Sequence, residues 1–220
     1  MLAARITRIE ERLAQHGINN YQIAYPEYLN FDHQLFATPR EVGCRVMILL
    51  AIAYTIQDNS KKFGIVNWLK NENIWSYVSE KEAIYLNGGT VSDDTLTALC
   101  WRIEAAYILA WSLNLVRDRP VPGQELSEDQ ISELIDSLPA LGDNLGDFLD
   151  RLYFRNPEEI YDENIFYELT TTHYRDNLFA GRRSTADVHV PASFERHLAL
   201  NWLRRFMNVR DWDLTDTSTL

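Results

Sequence analysis

Five polar residues constrain this chain most, because each stands where a helix must begin. Thr38-Pro39-Arg40-Glu41 supplies a capping hydroxyl, a proline at the first helical position and a glutamate that closes a capping box. Ser79-Glu80-Lys81-Glu82 and Ser127-Glu128-Asp129-Gln130 repeat the device. Asn156-Pro157-Glu158-Glu159 uses asparagine as the cap, and Ser92-Asp93-Asp94 sets two acids where the helix dipole favours them. Apolar residues recur at helical spacing behind each start. The pattern predicts an all-α protein with helices over 1–16, 39–57, 61–72, 80–87, 93–115, 128–138, 141–152, 157–179 and 191–208. The first carries Leu2, Ile6, Ile9 and Leu13 on one stripe and stops at Gly17, which takes a left-handed conformation without strain.

Segments 18–37 and 182–190 lack helical period, and a short hairpin between Tyr21-Gln22-Ile23-Ala24 and Asp187-Val188-His189-Val190 is the one piece of β structure the pattern allows. The loop 117–126, with Pro120, Pro122 and Gly123, reads as the one hinge. Residues 1–220 are expected to form one multi-helix domain, with the helix and loop of 1–37 packed on the rest. A chain this long buries about 70% of its unfolded surface and needs no staples.

The formal net charge of −11 excludes an unspecific nucleic-acid binder, since that affinity comes from neutralising phosphates. It equally disfavours an anionic membrane surface and suits a basic protein partner, whose approach would be steered by charge. Arg182-Arg183, in a glycine-containing loop, is the one candidate for a local basic patch and reads as solvated. Cys44 and Cys100 both sit in apolar helical patterns and read as buried thiols of a reducing compartment. His16, His33, His173, His189 and His197 are too scattered for a metal site, and no cofactor motif is present. The first residues lack the apolar core of a secretory signal, and the longest apolar run, 46–54, is about half what a membrane span needs, so the expected location is the cytoplasm. Nothing in the composition sets an oligomeric state.

Two helices, over 42–56 and 96–115, are apolar nearly all round, which marks helices enclosed by protein. Each carries charge in mid-span: Arg45 in the first, Arg102 and Glu104 in the second. Glu104 shares its side with Trp101, Tyr107, Ile108 and Trp111. In the last helix Phe194, Leu198, Trp202 and Phe206 define an apolar face with Glu195 near its centre, while His197, Asn201 and Arg204 fall opposite. A carboxylate on such a face needs a cation, and Arg45 and Arg102 are the available ones.

These segments carry a family resemblance. Arg40-Glu41-Val42 with Arg45, Trp101-Arg102-Ile103-Glu104-Ala105 through Trp111-Ser112-Leu113, Glu195-Arg196-His197-Leu198-Ala199-Leu200-Asn201-Trp202-Leu203 and Asp211-Trp212-Asp213-Leu214-Thr215-Asp216-Thr217 resemble the uncharacterised family called domain of unknown function 4272. Leu152, Arg155, Pro157-Glu158-Glu159-Ile160 and Tyr174-Arg175 follow its spacing, so the likeness runs over 38–217. Leu113-Asn114 stands where the family tends to have Leu-Gly, and Val46-Met47 where it tends to have an alanine-leucine pair; both read as packing variations. The resemblance implies no activity and carries over no catalytic residue.

Asp211-Trp212-Asp213-Leu214-Thr215 matches the Asp-x-Asp-x-Thr pattern of haloacid-dehalogenase-like phosphatases, but a helix precedes it and no Rossmann-like fold follows, so its acids read as caps for a docked tail. Two functional readings stay open. One is a non-enzymatic interaction protein of adaptor or immunity type with a basic partner. The other is a small-ligand binder or enzyme built on Arg45, Arg102, Glu104 and Glu195 with Trp101 and Trp202 beside them. A cleft opening onto those residues favours the second, and a sealed cluster with an exposed aromatic or acidic patch favours the first.

Overall fold

The computed structural model describes residues 2–19 and 33–217. Among them are nine α-helices and no strand: α1 (Leu2–Gln15), α2 (Pro39–Gln57), α3 (Lys62–Asn71), α4 (Glu80–Leu86), α5 (Asp93–Ser112), α6 (Glu128–Asp136), α7 (Gly146–Asp150), α8 (Pro157–Phe179) and α9 (Val190–Leu203). All five expected starts are in place. The Thr38, Ser79 and Ser127 hydroxyls accept from the third backbone amide of their helices, and Glu41, Glu82 and Gln130 close the boxes. Ser92 and Asn156 cap α5 and α8.

The helices stack as a series, α2 against α5, α5 against α9, α9 against α8 and α8 against α1. The enclosed helices are therefore neighbours, as their apolar circumference requires. Every residue from Val42 to Ile52 is buried, as is every residue from Glu104 to Ser112. The first half of α5 is different: Leu96 and Cys100 are exposed, so only Cys44 of the two free thiols is buried. Burial pushes the Cys44 thiol up to about 11. A further correction concerns α9, where Arg196, His197 and Asn201 are as buried as Leu200 and Leu203. This helix lies between α5 and α8, so the side opposite the apolar stripe meets protein as well.

Helix ends depart more from expectation than helix starts. Helix α5 stops at Ser112, with Asn114 left-handed at φ 58. The Leu115 amide donates to the Ala110 carbonyl at 3.0 Å and the Asn114 amide to Trp111 at 3.1 Å, the paired bonds of a Schellman turn. Asn114 is thus a cap where only glycine or asparagine fits well, not a packing variation. Gly17 closes α1 the same way at φ 78. The segment expected as helix over 141–152 holds only the short α7, and the last helix ends at Leu203 because Arg205 turns left-handed at φ 53.

Of the expected hairpin, 21–24 lies outside the described residues, and 187–190 is no strand. The Asp187 amide donates to the His16 carbonyl, the His189 amide to Pro122, and the His189 ring caps α9. The loop 117–126 is no hinge either. Its Val121 and Gln124 carbonyls accept from Arg196, its Leu126 amide donates to Glu104, and Pro120 and Pro122 are buried. Among the described residues no helix is long and apolar enough to cross a membrane.

Candidate functional site

The charges expected in the core form three ion pairs along the α2–α5–α9 stack. Arg45 of α2 pairs closely with Glu82 of α4 and donates from Nη1 to the Tyr77 carbonyl at 2.9 Å. The same Glu82 accepts from the Ser79 amide, so one carboxylate closes the α4 capping box and neutralises the buried arginine. Arg102 of α5 pairs with Glu195 of α9 at 2.6 Å. Glu104, two residues on, accepts from Arg196 Nε at 2.9 Å and Nη2 at 2.7 Å, and its other oxygen accepts from the Leu126 amide. Arg196 also donates to the Tyr167 hydroxyl and to the Val121 and Gln124 carbonyls.

Trp212 joins the first two pairs. The Arg45 guanidinium lies 4.1 Å from its ring centroid and that of Arg102 lies 5.3 Å away, an arrangement in which an aromatic face stabilises cations. Trp202 meets Trp212 edge-on at 5.5 Å and donates from its indole to the Arg210 carbonyl. Of the six residues singled out, Arg45, Arg102, Glu195 and Trp202 therefore gather around Trp212. Glu104 belongs to the separate pair with Arg196, and Trp101 lies beside the His189 ring, 5.3 Å between centroids. Glu82, Arg196 and Trp212 were not anticipated as partners.

Burial dominates the electrostatics. It raises the Glu195 carboxyl above its ordinary range; Arg102 opposes this, while Glu104 and Glu82 add to it. Burial lowers Arg45, against the pull of Glu82 and with the push of Arg102. For Arg196 burial also acts downwards, but Tyr167 and Glu104 outweigh it and the guanidinium is raised. Burial carries the Tyr167 hydroxyl up to about 12.

The acids of the Asp-Trp-Asp segment are caps. Asp213 accepts from the Lys81 amide at the start of α4, and Asp211 accepts from the Asp213 amide.

A second feature lies apart from these charges. An apolar groove of about 1180 Å³ runs between α2, α3, the first half of α5 and α6. Its walls are helical stripes: Leu50, Ala53 and Tyr54 from α2, Cys100 and Ile103 from α5, and Ile131 and Ile135 from α6. Ile135 is 50% exposed, Tyr54 is exposed, and exposed Leu96 continues the α5 stripe one turn earlier. None of the paired core charges lines it.

A stack of helices pinned by buried ion pairs and opened on one flank by an apolar groove defines an all-α architecture among the described residues. The chain belongs to the family described as Domain of unknown function (DUF4272), whose model matches residues 5–215. The match takes in α1 and so extends beyond the segments that carried the resemblance. No curated protein and no solved structure matches the chain.

Proposed function

We propose that this is an interaction protein that receives an apolar-faced helical segment of a basic partner in the α2–α3–α5–α6 groove. The groove itself carries the reading. The lining is mainly apolar, and Ile135 and Tyr54 leave it open to a partner's side chains. Walls made of helical stripes suit an incoming helix with anchors at the same spacing. The flanks favour a cationic partner: Asp93 and Asp94 open α5, and Glu128, Asp129 and Asp136 stand exposed on α6. Lys61 is the one cation lining the groove, and the chain as a whole carries −11. The same charge argues against nucleic acid and anionic membranes. An exposed Cys100 thiol on the groove wall fits a reducing compartment, so we place the protein in the cytoplasm.

The alternative, a ligand site or enzyme at the Arg/Glu cluster, loses ground because the Arg196 donors and both Glu104 oxygens are engaged by protein groups. Co-purification with the tagged full-length chain from source-cell extract tests the reading. Wild type and Leu178→Ser, which removes an exposed apolar residue outside the groove, should retain a basic protein that Ile135→Arg loses. Its association rate should fall as salt rises from about 50 to 500 mM. Capture unaffected by Ile135→Arg, absence of any basic protein on the wild type, or a salt-indifferent rate would overturn it.

A further inference from the structure

On the opposite flank a polar cleft of about 670 Å³ opens between α1, the start of α8 and the loop after α5. It is lined by five arginines, Arg8, Arg12, Arg117, Arg119 and Arg155, and by five acids. Most of the deep charges neutralise one another. Asp162 pairs with Arg5 and Arg8, Glu158 with Arg5, and Glu163, fully buried beneath the cleft, with Arg12 and at 3.2 Å with Arg119.

Three arginines are left with positive charge that no carboxylate at hydrogen-bond distance fully meets. The Arg117 side chain is exposed and makes no ion pair among the described residues. Arg119 is 51% exposed and spends one donor on Glu163. Arg155 is only 14% exposed, yet its Nε and Nη2 donate to the Trp111 and Val116 carbonyls, and Glu159 stays 3.9 Å away. A half-desolvated guanidinium satisfied by neutral carbonyls keeps its charge, and Arg119 is near enough to act on it. Beneath Arg155, 4.0 Å from its guanidinium, lies the ring of Trp111. Trp111 lines the cleft and is 1% exposed, and its indole N–H has no hydrogen-bond acceptor among the described residues. Guanidinium groups whose charge is only partly met, gathered on one cleft, are the complement of an oxyanion.

We propose that this cleft binds a small ligand through a phosphate or carboxylate group, held by Arg117, Arg119 and Arg155 above Trp111. Its volume falls within the range of about 300–1,000 Å³ that small-molecule sites occupy. Glu11, Asp118 and Glu159 on the lining repel long polyanions and give a cationic group on the same ligand a place to sit. The start of α8 adds the positive end of a long helix. The site is independent of the groove on the other flank.

The test reads the Trp111 indole directly, by ¹H–¹⁵N NMR of the full chain with the resonance assigned through Trp111→Phe. Inorganic phosphate and acetate are titrated separately, each against chloride at matched ionic strength. The Trp111 indole should shift saturably with at least one of the two, and the one that shifts it names the oxyanion. Arg119→Ala and Arg117→Ala, both at exposed positions, should each weaken that binding roughly tenfold or more, while Arg40→Ala on α2 leaves it unchanged. An indole that behaves in phosphate and acetate as it does in chloride overturns the proposal in the wild-type protein alone. Saturable shifts that survive both cleft variants overturn it as well.

Discussion

The two halves of α5 invert the usual distribution of side chains. Its second half buries Glu104 completely and its middle holds Arg102 in an ion pair, while its first half leaves Leu96 and Cys100 in solvent. Charge lies inside and apolar surface outside along one helix. The inner half is enclosed by its neighbours and has partners for its charge; the outer half shares the open groove with α2, α3 and α6, which leave Leu96 and Cys100 uncovered. Average hydrophobicity cannot distinguish these cases. What separates them is whether the neighbouring helices close over α5 or leave a groove beside it.

The largest expected effect falls on the inner half. Glu104→Ala leaves Arg196 buried and unpaired and strips the Leu126 amide of its acceptor, so denaturant unfolding should show a loss of about 3–5 kcal/mol. Glu104→Gln should lose less, since it keeps the shape and one acceptor. An effect below about 1 kcal/mol would mean the pair contributes no more than a surface bridge.

Acid should act next, through His197. Burial, with Arg175 and Arg204 adding to it and Asp216 opposing, lowers this imidazole from 6.5 to about 3. The unfolded chain then binds a proton that the native state refuses, so stability is lost as pH falls from about 6.5 towards 3. The loss should approach roughly 4 kcal/mol, and His197→Gln should flatten that slope. Glu195 works in the opposite sense, because its raised carboxyl takes up its proton earlier when folded; comparing variant with wild type isolates the histidine.

Glu195→Ala sharpens the comparison further. Its side chain is 13% exposed, as is that of Arg102, so water can partly solvate the arginine left behind. A loss of about 2 kcal/mol, smaller than for Glu104→Ala, is expected in the same denaturant assay. Equal losses would show that Trp212 seals this pair as tightly as the loop seals the other.

The smallest effect belongs to the outer half. Leu96→Ser and Ile135→Arg should change unfolding free energy by within about 0.5 kcal/mol, since both residues already face solvent. A large destabilisation would show that the groove walls brace the core and would remove the case for an open binding surface.

How legible this was in the sequence follows the range of each interaction. Helix starts depend on four consecutive residues, and all five capping signatures stood where the backbone uses them. Helix ends were readable only where glycine marked them, as at Gly17; Asn114, Asn73 and Arg205 adopt the same left-handed turn without that mark. That Glu195 needs an arginine followed from its place on an apolar face, and Arg102 is that arginine. The partners of Arg45 and Glu104 did not follow. With 32 acids and 21 bases in the chain, pairing is decided by which helices adjoin. Glu82 already had a local role as a cap, and Arg196 lies off the apolar face of α9 on which Glu195 stands. The groove was invisible for the same reason, since it is defined by where α2, α3 and α6 stop covering α5.

The placement of Trp212 has a consequence for biosynthesis. Arg45 and Arg102 enter their ion pairs through helices made early and midway in translation, but the aromatic face that lies across both is among the last of the described residues to be made. A nascent chain can stack α2 on α5 while still on the ribosome, yet that stack keeps an open, hydrated seam until residue 212 clears the exit tunnel. Ribosome stalling or a stop codon just upstream of Asp211 would release a chain that holds α1 to α9 with its central cations uncovered, a product suited to recognition by quality-control proteases.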